Sequence, residues 1–233
     1  MRTALIVPAA GSGVRLGAGR QKALVEIDGR ALVRLALEPF VAVAHIVEAI
    51  VVAPRGAMAE IQNALKGMTW PGCELRVVAG GETRQDSVRS GLGTIESEVS
   101  LVCVHDAARP LVTQATIMRV LAAAAEHGAA TAASRPSDSL RVVREDGTTQ
   151  PVDRDKAWLV ETPQAFGYDL FKRAHQHATA VRFAGTDDAS LVEACGGATI
   201  AVVESDALNL KITRPEDLEV VSVLLRTRST RTL

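Results

Sequence analysis

The chain has 233 residues, of which 47% are hydrophobic and 23% charged, an ordinary composition for a globular protein. Its formal net charge is −1, so no overall field attracts nucleic acid or anionic lipid, and any basic site must be local. Aromatic residues make up only 3%, so we expect a core of Ala, Val, Leu and Ile, which favours a parallel sheet covered by helices.

Short apolar runs alternate with helical stretches from the start of the chain to Pro136. Strands are predicted at residues 3–8, 48–53, 75–80, 100–106 and 128–133. Helices are predicted between them at residues 31–40, 57–65, 84–92 and 113–127. This alternation predicts an α/β fold with a Rossmann-like, mostly parallel sheet that carries helices on both faces.

The alternation stops after Pro136, where a different pattern begins. Residues 139–154 alternate apolar and polar side chains around Asp146-Gly147, a dipeptide typical of hairpin turns. We therefore predict a protruding β-hairpin arm at about residues 137–155. Its apolar side chains need cover, which a second subunit would supply.

Helix and strand then resume to the end of the chain. A helix is predicted at residues 185–194, a strand at 198–205, and a last helix capped by Thr213 with Glu216 at the capping-box position. Asp187 and Asp188 are expected to place favourable negative charge at the start of the first of these helices. No repeat or low-complexity linker divides the sequence, which predicts a single domain over residues 1–233.

The three cysteines are scattered, and no Cys/His cluster accompanies them. Cys73, Cys103 and Cys195 therefore predict neither a zinc site nor a disulfide framework, and a reducing cytoplasm is the simplest location. No stretch of the sequence reaches transmembrane length, so we expect no membrane partner.

The loop after the first strand is glycine-rich and basic. Small residues there let backbone amides approach a ligand and form an anion site, while Arg15 and Lys22 supply positive charge. The small residues that we assign to nucleotide binding are Pro8, Ala9, Ala10, Gly11 and Gly13. A bound polyphosphate is the functional interpretation, and a tight turn with surface charges is the structural alternative.

Two familiar phosphate loops are excluded by spacing. The sequence has no GxxxxGK[ST] string, which a Walker A loop requires. Gly11 and Gly13 are followed by Leu16 where the dinucleotide fingerprint has its third glycine, which disfavours a nicotinamide dehydrogenase.

A second polar segment, VHDAARP, ends the strand predicted at residues 100–106. Ligands bind at such strand ends in open α/β sheets, so Asp106 is a candidate for Mg²⁺ or a substrate hydroxyl. Arg109 is a candidate for binding a phosphate or for steadying the arm. A helix cap or turn is the alternative role for Asp106. His105 is expected to be a packed, hydrogen-bonded residue rather than a catalyst.

Taken together, these motifs resemble the 2-C-methyl-D-erythritol 4-phosphate cytidylyltransferase family of nucleotidyltransferases. PAAGSGVRLGAGRQK, GGETRQDSV, VHDAARPLV, PVDR, ETPQAF, TDDASLVE and NLKITRPEDL occur in the family's order, from residue 3 to about 225. The chain departs from the family at Gln21, where proline is common, and at Leu208, where some relatives carry an acid. It also has Ser139 where the family often has threonine and Glu82 where it commonly has aspartate.

The resemblance implies a homodimer that uses CTP, Mg²⁺ and a sugar-alcohol phosphate, with no nucleic acid or membrane involved. It implies that Arg15, Lys22, Arg154 and Lys211 are catalytic, with Arg154 of the arm reaching the neighbouring subunit's sugar phosphate. It adds Gly80, Gly81, Glu82, Ser87 and Ala107 to the nucleotide site. The implied substrate-binding residues are Asp106, Arg109, Ser139 and Thr162, with Asp106 also a metal ligand.

Three alternatives to this activity differ in class or substrate. Ribitol-5-phosphate cytidylyltransferase shares fold and donor, but tends to carry HDSVRP where this chain has HDAARP. A catalytically silent nucleotide-binding module is disfavoured by the presence of Arg15, Lys22, Asp106 and Lys211 together. The dehydrogenase is disfavoured by the missing glycine.

Overall fold

The computed structural model describes residues 1–11, 21–206 and 208–230, without the side chains of residues 229 and 230. The strands are β1 (Thr3–Pro8), β2 (Glu26–Ile27), β3 (Arg30–Ala31), β4 (Ile46–Ala53), β5 (Glu74–Ala79), β6 (Leu101–Val104), β7 (Ala129–Ser134), β8 (Leu140–Val143), β9 (Thr149–Val152), β10 (Leu159–Gly167) and β11 (Ala201–Glu204). The α-helices are α1 (Leu32–Val41), α2 (Met58–Leu65), α3 (Arg84–Leu92), α4 (Gln114–His127), α5 (Tyr168–Val181), α6 (Asp188–Ala194) and α7 (Pro215–Thr230).

Seven strands form one central sheet in the order β11-β7-β10-β6-β1-β4-β5. All neighbouring pairs are parallel except those of β10, which runs antiparallel to both β6 and β7. The chain winds outwards from β1 through β4 to β5 and then returns to the other side of β1 as β6. The order therefore reverses between β1 and β6, and ligands bind at the carboxyl ends of strands at such a reversal.

Helices cover both faces of this sheet, and successive residues of β1 explain how. Leu5 and Val7 pack into the core formed with α1, α2 and α4, while Ile6 packs into the opposite core formed with α3, α5 and α6. This alternation follows from the two-residue period of a strand. The mostly parallel α/β fold with helices on both faces is thus confirmed.

A third, smaller core attaches α7 to the body of the protein. Its buried members are Ile27, Leu32, Leu35, Leu111, Ile212 and Val221, so α7 packs against the β2–β3 turn and the start of α1. In the described part of the chain, no helix combines the length and apolar character needed to cross a bilayer.

Local capping fixes the starts of α3 and α4, as it does those of α6 and α7. Thr83 and Asp86 form a reciprocal capping box at α3, and the Thr113 side chain accepts the amide of Thr116 at α4. Each cap satisfies backbone amides that the first helical turn leaves without partners. The start of α3 is therefore held firmly beside the carboxyl ends of the strands.

The predicted arm is present as a hairpin outside the central sheet. Strands β8 and β9 pair antiparallel, and the turn is closed by Asp146, whose Oδ1 accepts the backbone amide of Thr148 at 2.9 Å. Gly147 adopts a φ of +79°, a conformation that glycine tolerates without strain. Val142 and Val143 are largely exposed on the arm.

Three sequence expectations differ from the structure. The capping acid of α7 is Asp217, whose Oδ2 accepts the amides of Thr213 and Arg214, and not Glu216. The helix predicted at residues 185–194 begins only at Asp188, because Asp187 is its N-cap. The long strand β10 was not delimited from the sequence.

Candidate active site

The strands β6, β1 and β5 end at the same carboxyl edge of the sheet, with β4 between β1 and β5. The backbone hydrogen bonds of the sheet continue for one residue beyond β1, β5 and β6. These bonds run from Ala9 N to Val52 O, from Gly80 N to Ala53 O, and from His105 N to Ile6 O. These bonds measure 2.7–3.0 Å. The glycine-rich loop, the Gly80-Gly81 segment and the HDAARP segment therefore begin from one rigid edge.

A first cavity of about 340 Å³ opens between these three segments. It brings together most of the residues that the sequence assigned to nucleotide binding. Its lining residues are Pro8, Ala9, Ala10, Gly11, Lys22, Ala23, Gly81, Glu82, Thr83, Arg84, Ser87, Asp106, Ala107, Ala108 and Lys211. Gly13 and Arg15 lie outside the described residues, so their positions remain predictions.

Gly81 lines this cavity whereas Gly80, the residue before it, does not, and neither position has room for a larger side chain. A Cβ on Gly81 would lie 2.4 Å from Asp86 Cβ, and one on Gly80 would lie 2.8 Å from Ser87 Oγ. Ser87 is buried and donates to Thr83 O at 2.9 Å within α3. The wall is therefore mainly backbone, set against the first turns of α3.

Lys22 and Lys211 come from opposite ends of the chain and line the same cavity. Lys22 begins a 3-10 helix over Lys22–Leu24, and its Nζ donates to the carbonyl of Ile212. Ile212 N in turn donates to Ala108 O at 2.9 Å, which ties the Lys211 segment to the HDAARP loop. Two lysines from distant parts of the sequence thus line one cavity.

Asp106 is held between two cations at the edge of this cavity. Its Oδ1 accepts Arg84 Nε at 3.0 Å and its Oδ2 accepts Lys211 Nζ at 2.6 Å. Burial alone would raise the pKa of Asp106, but the charges of Arg84 and Lys211 outweigh it and hold that pKa well below its usual range. Asp106 is therefore ionised at neutral pH.

Arg84 also contacts a second carboxylate, that of Asp188 at the start of α6. The distance from Arg84 Nη2 to Asp188 Oδ2 is 2.7 Å, and the Asp188 side chain is 1% exposed. Burial raises the pKa of Asp188 despite Arg84, whereas Asp188 and Asp106 together raise the pKa of Arg84 against the effect of burial. Asp188 was expected only to place charge at the start of its helix, and neither residue was assigned to the site from the sequence.

A second cavity of about 550 Å³ lies on the other side of this charged cluster. Arg84, Asp106 and Lys211 line both cavities, so they form a shared wall. Arg109 and Thr162, both assigned to substrate binding from the sequence, also line the second cavity. The two cavities therefore meet at three charged side chains.

A hydrogen-bond network holds the HDAARP segment beneath the second cavity. Thr162 Oγ1 accepts Asp106 N at 3.0 Å and lies 3.2 Å from His105 Nδ1, while His105 Nε2 lies 3.0 Å from Arg109 O. Burial lowers the pKa of His105 to about 4, so its ring is neutral at physiological pH. His105 thus has the packed, hydrogen-bonded role that the sequence indicated.

Asn209 anchors Arg109 in the same region, although it was not singled out from the sequence. Its carbonyl accepts Arg109 Nη1 at 2.6 Å, and its Nδ2 donates to Thr162 O and Glu161 Oε2, each at 2.8 Å. The NLKITRPED motif contained this residue, but only the fold places it against Arg109 and Glu161.

Ser139 and Arg154 lie away from both cavities within one chain. Both are exposed, and Arg154 Nη1 donates to Ser137 O at 3.1 Å at the foot of the arm. Neither residue lines the first or the second cavity. A role for them at a site requires the arm to reach another copy of the chain.

The described residues contain no cluster of three or more His, Cys, Asp or Glu side chains that could hold a metal ion. Asp106 and Glu82 are the carboxylates that line the first cavity. Mg²⁺ is usually held by one or two carboxylates together with substrate phosphates, so the ionised Asp106 fits a metal that arrives with a nucleotide.

Comparison with known proteins gives one consistent family. The family model of IspD, 2-C-methyl-D-erythritol 4-phosphate cytidylyltransferase, matches residues 3–227. A protein of that name from Deinococcus radiodurans is 42% identical over 229 residues, covering 96% of this chain and 89% of the relative. One from Bacillus pumilus is 35% identical over 221 residues, covering 95% and 96%.

Solved structures agree with the sequence comparison. The 4-diphosphocytidyl-2C-methyl-D-erythritol synthase of Anaerococcus prevotii superposes with a TM-score of 0.86 at 27% identity, covering 97% of this chain and 98% of that one. The cytidylyltransferase of Thermus thermophilus superposes with a TM-score of 0.77 at 34% identity, covering 97% and 100%. The chain belongs to the 2-C-methyl-D-erythritol 4-phosphate cytidylyltransferase family.

Proposed function

We propose that this protein transfers the cytidylyl group of CTP to 2-C-methyl-D-erythritol 4-phosphate, giving 4-diphosphocytidyl-2-C-methyl-D-erythritol and pyrophosphate. The observation that carries the proposal is the pair of cavities that meet at Arg84, Asp106 and Lys211. Two substrates in adjacent cavities can bring a phosphate oxygen to a phosphorus atom at their shared wall. Membership of the family supports the identity of both substrates.

CTP occupies the first cavity in this proposal. The backbone amides of the glycine-rich loop, Lys22 and Lys211 bind the triphosphate, and Arg15 is proposed to join them. Gly80, Gly81, Glu82, Ser87 and Ala107 bind the cytosine nucleoside. Because this wall is largely backbone set against α3, it favours a small pyrimidine over a larger purine.

The acceptor occupies the second cavity. Arg109 and Thr162 line it, and Asp106 lies at its boundary with the first cavity, where a substrate hydroxyl would find an ionised acceptor. We propose that Ser139 and Arg154 of a second copy complete this cavity, with Arg154 binding the acceptor phosphate. Positive charge is needed there because a phosphate dianion must be held beside a triphosphate.

The reaction is an in-line displacement at the α-phosphorus of CTP. An oxygen of the acceptor phosphate forms the new bond, and the bond from the α-phosphorus to the bridging oxygen breaks, so pyrophosphate leaves with that oxygen. The nucleophile is already an anion near neutral pH, so no side chain has to remove a proton. The protein contributes alignment and neutralisation of charge, which are the main requirements of phosphoryl-type transfer.

Mg²⁺ is proposed to enter with CTP, with Asp106 as the residue that would hold it. When bound, the metal would neutralise negative charge on the phosphates. Lys211 and Arg84 contact the two oxygens of Asp106 and would hold its carboxylate in place for the metal.

The arm suggests how two copies assemble. We propose that residues 1–233 act as one nucleotidyltransferase domain and that the exposed Val142 and Val143 of the arm pack against a second copy in a homodimer. We also propose a cytoplasmic location, since Cys73, Cys103 and Cys195 are all free thiols, as expected in a reducing compartment.

An acceptor comparison tests the activity directly. Purified protein is incubated with CTP, Mg²⁺ and either 2-C-methyl-D-erythritol 4-phosphate, ribitol 5-phosphate or no acceptor, and pyrophosphate is measured together with the ³¹P signals of the diphosphate product. Release with the methylerythritol phosphate alone is expected. Release with ribitol 5-phosphate alone identifies the other cytidylyltransferase, and no release with either acceptor indicates a silent nucleotide-binding protein.

A further inference from the structure

A third cavity, of about 440 Å³, lies between α3 and α5 and shares no lining residue with the first two. Arg89 and Leu92 line it from α3, and Lys172, His175 and Gln176 line it from α5. Its volume falls within the range typical of small-molecule sites. The function proposed above makes no use of this cavity.

His175 is the buried polar residue of this cavity. It is 2% exposed, and within the described residues neither of its ring nitrogens has a hydrogen-bond partner. Its ring packs edge-on against Phe171 with centroids 4.6 Å apart, which fixes its orientation without satisfying the nitrogens. Buried polar groups in proteins are nearly always paired, so His175 indicates a polar partner supplied from the cavity.

The charge of the cavity is positive. Arg89 and Lys172 line it, and none of its described lining residues is Asp or Glu. Arg89 contacts Asp86 at 2.7 Å and Thr179 at 3.1 Å at its edge. Lys172 Nζ lies 5.8 Å from the centroid of the Tyr168 ring, and no carboxylate of the described chain lies within ion-pair distance of it. Lys172 therefore offers its charge to a ligand.

The remaining walls of the cavity are apolar. Leu92 and Ile95 line one part and the Tyr168 ring another, with Ala180 at the end of α5. An inorganic anion would leave these surfaces in contact with water, whereas an aromatic or aliphatic body would bury them. The lining thus matches a ligand with one anionic group and one apolar group.

We propose that this cavity binds a small organic carboxylate with an aromatic or aliphatic body. The carboxylate lies between Lys172 and Arg89, the body packs on Leu92 and Ile95, and a polar atom of the ligand pairs with His175. Burial, together with the charges of Arg89 and Arg84, lowers the pKa of His175 to about 4. The neutral ring consequently offers one N–H donor and one nitrogen acceptor.

The test uses benzoate as the probe and the full-length protein. Benzoate is titrated while backbone amide and His175 ring NMR signals are recorded. Acetate, which lacks the aromatic ring, and benzyl alcohol, which lacks the carboxylate, are the control probes. Saturable shifts in α3, α5 and the His175 ring are expected with benzoate, and weaker ones with the other two. Absence of saturable shifts there, or equal binding of acetate, overturns the proposal.

Matched variants distinguish specific binding in this cavity from non-specific attraction of anions to a positively charged surface. Lys172→Gln should weaken benzoate binding about tenfold, the value of one hydrogen bond to a charged group. Arg173→Gln, the exposed neighbour on α5 that does not line the cavity, should leave the affinity unchanged. Both variants should retain wild-type cytidylyl transfer. If the Lys172 and Arg173 variants bind benzoate with equal affinity, the proposed site is wrong.

His175→Phe tests the role of the buried ring. Phenylalanine retains the packing against Phe171 and removes both nitrogens, so benzoate affinity should fall while the unfolding midpoint does not. If affinity is unchanged in this variant, His175 is a packing residue and the assignment of a polar partner to it is wrong.

Discussion

Arg84 and Asp188 lie 104 positions apart in the chain and are joined by a 2.7 Å ion pair between Nη2 and Oδ2. Because Arg84 Nε also contacts Asp106, one guanidinium connects the start of α6 to the end of β6. Asp188 reaches neither Asp106 nor Lys211 by a hydrogen bond of its own in the described structure. It therefore acts on the site by positioning Arg84.

Asp188→Asn should lower activity without lowering stability. Burial raises the folded-state pKa of Asp188, so its ionisation lowers stability at neutral pH, and Arg84 keeps its bond to Asp106 in the variant. A neutral isostere should therefore leave the free energy of unfolding within about 1 kcal/mol of wild type. Arg84 loses a charged anchor, so kcat/KM should fall about tenfold. Urea unfolding and steady-state kinetics measure the two effects.

Asp169→Asn is the matched control for this variant. Asp169 is an exposed acid in the first turn of α5 and lines none of the three cavities. An equal loss of kcat/KM in both variants would show that Asp188 has no positioning role.

Lys22→Ala should reduce kcat/KM by ~10²–10³, the typical cost of losing one preorganised donor to a developing charge. The same loss is predicted for Arg15→Ala. Lys22 lines the first cavity, whereas Lys66, exposed just after α2, lines none and provides the control Lys66→Ala. Normal turnover by Lys22→Ala in the pyrophosphate assay would remove Lys22 from the mechanism.

Gly81→Ala should raise the KM for CTP by distorting the wall of the first cavity. The added Cβ would lie 2.4 Å from Asp86 Cβ, so the first turn of α3 must move. Gly56→Ala is the control, because a Cβ there meets nothing within 4 Å and its φ is not positive. Measured KM values for CTP should differ between the two variants, and identical values would contradict this account of the wall.

Asp106 should make stability depend on pH on the acid side. Its folded-state pKa lies below the ordinary value of about 3.9, so its stabilising effect is fully present above that value and is lost as the pH falls from there through the lower folded-state pKa. Urea unfolding of wild type and Asp106→Asn should show a stability difference that is largest at neutral pH and shrinks between about pH 5 and pH 3. A difference that does not change with pH would refute this assignment.

Subunit mixing tests the position of Arg154. If Arg154 serves the neighbouring site, Arg154→Ala and Lys211→Ala proteins are each inactive, yet their mixed dimer has one intact site. Unfolding and refolding an equimolar mixture should restore about a quarter of wild-type activity, since half the dimers are mixed and each has one working site. If Arg154 acts within its own subunit, mixing restores no activity.

The parts of the fold that follow from local pattern were predictable. Strand β1 and helix α3 have the predicted bounds, because an apolar run ending at a glycine-rich loop and a Thr83 cap are both local signals. The strand β10 could not be predicted in this way, because Pro163 and Gln164 interrupt its apolar pattern and its partners β6 and β7 lie far away in sequence.

Some residues of the candidate site could likewise be predicted from local sequence patterns, and others could not. Lys22, Asp106 and Lys211 follow strand or loop signals and were assigned from the sequence. Asp188 was interpreted as a helix-start charge, because nothing in TDDASLVE indicates which of two adjacent acids faces outwards. The fold assigns capping to Asp187 and the buried contact with Arg84 to Asp188.

The shared wall of Arg84, Asp106 and Lys211 has a consequence for specificity. Residues such as Gly81 and Ser87 line only the first cavity, and residues such as Thr162 and Gln164 line only the second. With the substrates placed as proposed, choice of nucleobase and choice of sugar phosphate would be encoded in separate sets of side chains. Evolution or an engineer can change the acceptor alone, provided that the three residues between the compartments are retained.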